Sequence, residues 1–316
     1  MYRYWSALVV AVLFVTSISL HAQTSHRALD YYKDGNNKIQ SGDLDGAIGD
    51  LTKAIELSLG QKTHTKGKLR RPSSGFAETE PKATEIYVVD PFTAEAYTSR
   101  GIARYRQGDV DGALHDWERA LTINPGLATA YLDRGTGRFA KGDNTGALED
   151  WGRALRINPH LAAVYTNRGA LFYHVGSLDQ AVAELDRAIS LDSHDAMAFC
   201  LRGNLSNDRR EADRAILDFN RAIELDARLA WAYEGRGVAR MLKLDLEGAV
   251  NDFNRAIELD PKIANAYLNR GLALLLQGKD AAAESDFNRT LAINPALKEE
   301  LEVRIKKADE LRGGKK

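Results

Sequence analysis

Seven histidines, one cysteine and a dense set of carboxylates are the residues of this chain that bear on catalysis or metal binding. A zinc protease helix needs two histidines four apart with a glutamate beside the first, so that both imidazoles and the general base share one face. No such pair occurs, and His160 and His194 share only a 34-residue spacing. A phosphate-binding loop needs four residues between its first glycine and a Gly-Lys-Ser/Thr. Gly271 to Gly278-Lys279 has six, and Asp280 stands where a hydroxyl is required. Adjacent carboxylates such as Glu149-Asp150 fall in a repeating register and read as surface residues. A lone Cys200 excludes an intramolecular disulfide and a Cys-rich zinc site, and reads as an inert thiol. The sequence therefore predicts a non-catalytic protein with no cofactor and no metal.

Charge and composition narrow the partners. Lys and Arg number 43 against 44 Asp and Glu, a net charge of −1, without the basic excess that phosphate neutralisation needs. We therefore expect no nucleic acid partner. With 44% hydrophobic and 28% charged residues the chain reads as folded. At the N-terminus, Arg3 precedes nine unbroken apolar residues, Ala7 to Val15, and a small residue, Ala22. That pattern predicts a signal peptide over 1–22 with cleavage after Ala22. Nine residues rise only about 14 Å as helix, half of a hydrocarbon core, so no stable membrane insertion is expected after cleavage. Export to a periplasmic or secreted location follows as an expectation.

The elements that position every side chain come from a repeat. Gly101, Gly135, Gly169, Gly203, Gly237 and Gly271 stand 34 residues apart without a slip, each preceded by Arg and, four residues earlier, by Tyr or Phe. Ala113, Ala147, Ala181, Ala215, Ala249 and Ala283 keep the same period, as do the bulky apolars Trp117, Trp151, Leu185, Phe219, Phe253 and Phe287. Pro125, Pro159, Pro261 and Pro295 share a third register, with Ser193 and Ala227 in the remaining units. Each unit carries two stretches of helical apolar period split by a turn such as Gly108-Asp109-Val110-Asp111-Gly112. A single helix pair cannot bury its apolar face, so neighbouring pairs must stack.

Residue types and period together resemble the tetratricopeptide repeat, with its aromatic at position 4, Gly at 8, Ala at 20, aromatic at 24, Ala at 27 and Pro at 32. The resemblance implies an all-α fold, a right-handed superhelical solenoid of antiparallel helix pairs with a C-terminal capping helix. Its domains would be an N-terminal unit over 23–61 (the repeat proper starting at Ala28), an insertion loop over 62–93 and six contiguous units over 94–297. A capping helix and basic tail follow over 298–316, with Leu297, Leu301, Ile305 and Ala308 on one face.

Two departures stand out. Position 7, an apolar packing site in the family, is Arg100, Arg134, Arg168, Arg202, Arg236 and Arg270, while position 23 holds Asp116, Asp150, Glu184, Asp218, Asp252 and Asp286. Equal numbers of both signs in register predict an ion ladder, with an anion-binding stripe as the alternative. The first unit has Asp34 at position 7, so the ladder should start at the second. The 62–93 insertion is basic in its first half, and is either a tolerated loop or a lid or docking arm.

Family ligands mostly occupy the concave surface formed by first-helix positions 2, 5, 6, 9, 12 and 13. Position 5 lacks the lysine of the carboxylate clamp for chaperone tails. Carried over by position, the candidate groove residues are Tyr105, Phe139 and Tyr173 at position 12, with Asn167, His174 and Trp231 beside them. The groove is expected to be aromatic in its N-terminal half and aliphatic in its C-terminal half. The resemblance thus implies a protein-protein interaction scaffold holding a peptide or partner protein. The alternative is a non-catalytic subunit or adaptor of an envelope-associated enzyme or secretion complex, engaged through the 62–93 insertion.

Overall fold

The computed structural model describes residues 23–59 and 90–313. The expected signal peptide and the part of the insertion over 62–89 lie outside the described residues. Among the described residues every regular element is helical, and no helix is long and apolar enough to cross a membrane. Along the chain they divide between Pro159 and His160 into two compact units.

In the first unit, α1 (23–41) pairs with α2 (Leu44–Leu59), α3 (Thr93–Arg106) with α4 (Val110–Ile123), and α5 (Ala128–Ala140) with α6 (Asn144–Ile157). α2 packs directly on α3 despite the residues inserted between them. The last residues of the insertion are tied to α1: Ser25 Oγ donates to Asp90 at 2.6 Å, and the Tyr32 and Phe92 rings stack at 5.7 Å. The second unit comprises α7 (Ala162–His174), α8 (Leu178–Leu191), α9 (Ala196–Asp208), α10 (Ala212–Leu225), α11 (Ala230–Leu242), α12 (Leu246–Leu259), α13 (Ala264–Leu276) and α14 (Asp280–Ile293). A 3-10 turn, Pro295–Leu297, leads to α15 (Lys298–Gly313).

A small set of residues closes several of the helix pairs in the same way. The turn glycine Gly108 sits at φ +89°, where a side chain would be strained. The aspartate after the turn residue caps the second helix: Asp109 and Asp143 after glycine and Asp245 after Leu244 (φ +63°) each accept from the backbone N–H three residues on, at 2.9 Å. At position 8, a Cβ on Gly101 would lie 2.5 Å from Trp117 Nε1, so only glycine lets the two helices meet. The Trp117 indole then donates to the Thr98 carbonyl at 3.2 Å, satisfying its N–H in the core. At the end of each second helix the backbone is extended, with ψ near 90° at Asn124 and Asp226 alike. Proline favours that conformation in the residue before it, yet Asp226 adopts it ahead of Ala227.

The arginines form an ion ladder. Arg100, Arg134, Arg202, Arg236 and Arg270 each grip the position-23 aspartate of their own pair through Nε and Nη2, at 2.6–2.9 Å. Four of them use Nη1 to reach the second helix of the preceding pair: Arg100 to Thr52, Arg202 to Asp186, Arg236 to Asn220 and Arg270 to Asn254, at 2.7–3.0 Å. Each guanidinium also lies over the position-4 ring where the two recur, 5.3 Å from Tyr97 and 5.5 Å from Tyr233 and Tyr267. One side chain thus joins both helices of a pair to the previous pair. The arginines are occupied as structural cations rather than held free as an anion stripe.

A second set of contacts was not read from the sequence. At position 11, Arg104, Arg138 and Arg240 add a second guanidinium to the same buried aspartates, at 2.8–2.9 Å. In the first pair, where position 7 is Asp34, Lys38 takes over and meets Asp50 at 2.7 Å.

At the C-terminal end, α15 lays Leu301 and Ala308 into a core with Leu268, Leu272 and Leu275, and Leu297 and Ile305 pack at its margin. This corrects the expected aliphatic groove. Met241, Leu275 and Leu276 turn into the packing under α15, because an uncovered apolar surface at the end of a stack is costly. Of that set only Leu242 stays substantially exposed.

Candidate functional site

The six residues expected to line a groove are divided between the units, Tyr105 and Phe139 in the first and Asn167, Tyr173, His174 and Trp231 in the second. In the first unit, Tyr105 and Phe139 are half-buried, and each ring tilts onto the tryptophan of its own pair. Centroid separations are 6.0 Å to Trp117 and 6.1 Å to Trp151. One face of each ring is therefore spent on packing. In the second unit Asn167 is half-buried, His174 is exposed, and Trp231 is 52% exposed on α11. Tyr173 borders a cleft.

That cleft, about 270 Å³, lies wholly within the second unit. α7 contributes Tyr173, α9 contributes Asn204, Asn207 and Asp208, α11 contributes Glu234, Gly235 and Val238, and α13 contributes Asn265 and Asn269. α15 closes one side with Glu300 and Arg304. The helical residues from α7 to α13 occupy repeat positions 2, 5, 6, 9, 12 and 13, the concave set, but the lining is polar. Gly235 shapes it: a Cβ there would meet the Phe219 ring at 2.3 Å and Asn204 Oδ1 at 3.0 Å.

Part of the polar lining is already committed. Tyr173 donates its hydroxyl to Asp208 at 2.8 Å, and burial together with that bond pushes the phenol well above its ordinary pKa. Asn269 donates to Glu234 Oε1 at 2.7 Å and accepts from Arg304 at 3.2 Å. Burial pushes the Glu234 carboxyl up, against the pull of Asn269 and Arg304. Cys200, 1% exposed, is pushed up to about 12 by burial and then by Glu234, which makes it unreactive.

The rest is uncommitted. Asn207 donates its amide to the Gly235 carbonyl at 2.9 Å, which fixes its orientation because a carbonyl only accepts. Its Oδ1 is then buried with no partner. The side chains of Asn204 and Asn265 make no hydrogen bond to the described chain. Three amides facing one polar cleft, one with an orphaned acceptor, suit a ligand that offers alternating N–H and C=O groups. Among the described residues no three His, Cys, Asp or Glu side chains converge to hold a metal ion.

Known proteins agree with this architecture. A tetratricopeptide repeat model matches residues 94–127, and a TPR repeat model matches 138–176 and 245–278. Over those residues the chain carries tetratricopeptide repeats. Among solved structures, it is similar to the APC/C hetero-tetramer Cut9-Hcn1 at TM-score 0.63 and 19% identity. That match covers 69% of this chain and only 43% of the other. A tetratricopeptide repeat protein from Parabacteroides merdae aligns at TM-score 0.57 and 20% identity, over 89% of this chain and 99% of that one. PilF of Pseudomonas aeruginosa aligns at 0.56 and 18%, over 64% and 92%. At these identities the likeness is one of fold. Curated proteins offer no match to the sequence.

Proposed function

We propose that this protein is a non-catalytic interaction scaffold that holds an extended segment of a partner protein in the polar cleft of its second unit. The observation that carries the proposal is the orphaned Asn207 Oδ1 beside the unengaged amides of Asn204 and Asn265. A buried acceptor without a partner costs about 1–3 kcal/mol, which a bound backbone N–H would recover. Tyr173 and Val238 offer apolar surface next to these amides for one or two ligand side chains. A photo-crosslinking residue at Val238 should capture a defined polypeptide segment, whereas one at exposed Arg255 on α12 should not. Equal capture at both positions would oppose the proposal.

Export belongs to the same proposal and rests on Arg3, the Ala7–Val15 run and Ala22. The intact mass of the protein recovered outside the cytoplasm should correspond to a chain starting at Gln23. A full-length mass in the cytoplasmic fraction alone would contradict it.

A further inference from the structure

The fifth repeat, α9 and α10, contains a cavity that its sister repeats fill with their own side chains. It measures about 390 Å³ and is lined by Ser206, Arg202, Arg214 and Asp218, with Arg209 and Asp186 at its edge. Ser206 occupies position 11. In three other repeats that position is arginine. Nη1 of Arg104, Arg138 and Arg240 donates to the buried position-23 aspartate at 2.8–2.9 Å. The same nitrogen reaches the position-19 carbonyl of Gly112, Gly146 or Gly248 at 3.0–3.3 Å. Where position 11 is not cationic in the remaining repeats, Phe172 or Leu274 supplies bulk. Only in the fifth repeat is it a small residue, Ser206, itself buried.

The acceptors are still in place. Asp218 is 9% exposed and receives one guanidinium, from Arg202, where Asp116, Asp150 and Asp252 each receive two. A carboxylate offers about four lone-pair sites, so Asp218 has capacity left. Arg202 is held by Asp218 and Asp186, Arg209 by Asp179, and Arg214 by Glu211. Asp186, Glu211 and Asp218 line the cavity beside these three arginines, while Asp179 lies outside the lining.

We propose that this cavity is a binding site for a guanidinium group, an arginine side chain of a partner protein that takes the place of the missing position-11 arginine. Its planar donors would span Asp218 and the Arg214 carbonyl, as Arg104 spans Asp116 and the Gly112 carbonyl. Val182 and exposed Leu217 offer apolar surface for the arginine stem. The site lies outside the asparagine cleft and does not depend on it.

The test follows amide NMR shifts of the full chain at Ser206, Arg214 and Asp218 during titration with Nα-acetyl-arginine N-methylamide, with the citrulline analogue as a neutral isostere. We expect saturable shifts with the arginine probe and affinity at least about tenfold weaker with citrulline. Both responses should vanish in Ser206→Arg, which supplies the guanidinium internally and should raise the unfolding temperature. Should Ser206→Arg fail to fold, Ser206→Leu closes the cavity as Leu274 does and must abolish binding as well. Equal response to both probes, or binding that survives closure of the cavity, would overturn the proposal. So would inorganic phosphate moving these amides in place of the arginine probe, since that would assign the cavity to an anion.

Discussion

Arg236 and Arg168 hold the same repeat position but not the same bonds. Arg236 makes three, two to Asp252 and one to Asn220, with 16% of its side chain exposed. Arg168 faces Glu184, whose extra methylene prevents the two-pronged grip. One contact forms at 2.8 Å, and Arg168 Nε and Glu184 Oε2 are left buried without partners. Truncating Arg236 deletes three bonds, although Asp252 keeps Arg240, whereas truncating Arg168 deletes one contact to a less buried carboxylate. Arg236→Ala should therefore cost about 2–4 kcal/mol and Arg168→Ala about 1–2 kcal/mol in urea unfolding. Equal losses would mean that the second prong and the inter-pair bond contribute little. Asp133 is a carboxylate on α5 with no ion-pair or hydrogen-bond partner among the described residues, and burial pushes its pKa up to about 7. The folded state then holds a proton that the unfolded state has released above about pH 4. Its contribution to stability should fall as pH rises from about 4 to 7 and stay flat beyond. Asp133→Asn should remove that slope and stabilise by on the order of 1–3 kcal/mol at pH 8, with little change at pH 4. An unchanged slope would mean the carboxyl is solvated.

Helix pairs were the most legible feature of the sequence, because every unit repeats the residues that build them. Gly101, Asp109, Ala113 and Trp117 each do one physical job, and the same job recurs 34 residues on. The prediction at this scale concerns the tightest approach. Gly101→Ala places a methyl 2.5 Å from Trp117 Nε1, and should cost about 1–3 kcal/mol in thermal or urea unfolding, the range of overpacked cores. Gly49, whose Cβ would meet nothing, is the control. Tolerance at Gly101 equal to that at Gly49 would show that the helices can separate freely. The ion ladder was legible for the same reason. Position 11 was not, since Lys38, Arg104, Phe172, Ser206 and Leu274 do not look like one register until the aspartate they share, or lack, is seen.

At the scale of the whole molecule, the proposed function depends on departures from the repeat, which periodicity cannot rank. The aromatic stripe drawn from Tyr105 and Phe139 meets packing partners, Trp117 and Trp151, whose reach a one-dimensional register does not contain. The cleft of the second unit gathers single departures, Asn204, Asn207, Gly235 and Asn265, together with Glu300 and Arg304 from a helix outside the repeat. Asn204 stands at position 9, a groove position, and was open to discovery by that criterion. Glu300 and Arg304 were not, because their placement follows from how α15 lies on α13. The most direct measurement is a calorimetric titration of the segment captured at Val238, made as a synthetic peptide, into wild type, Asn207→Ala and Asn265→Ala chains. The account predicts that each variant, still folded, loses about tenfold in affinity, or about 1.4 kcal/mol, while Trp231→Ala binds as wild type does. Wild-type affinity in both asparagine variants would contradict it.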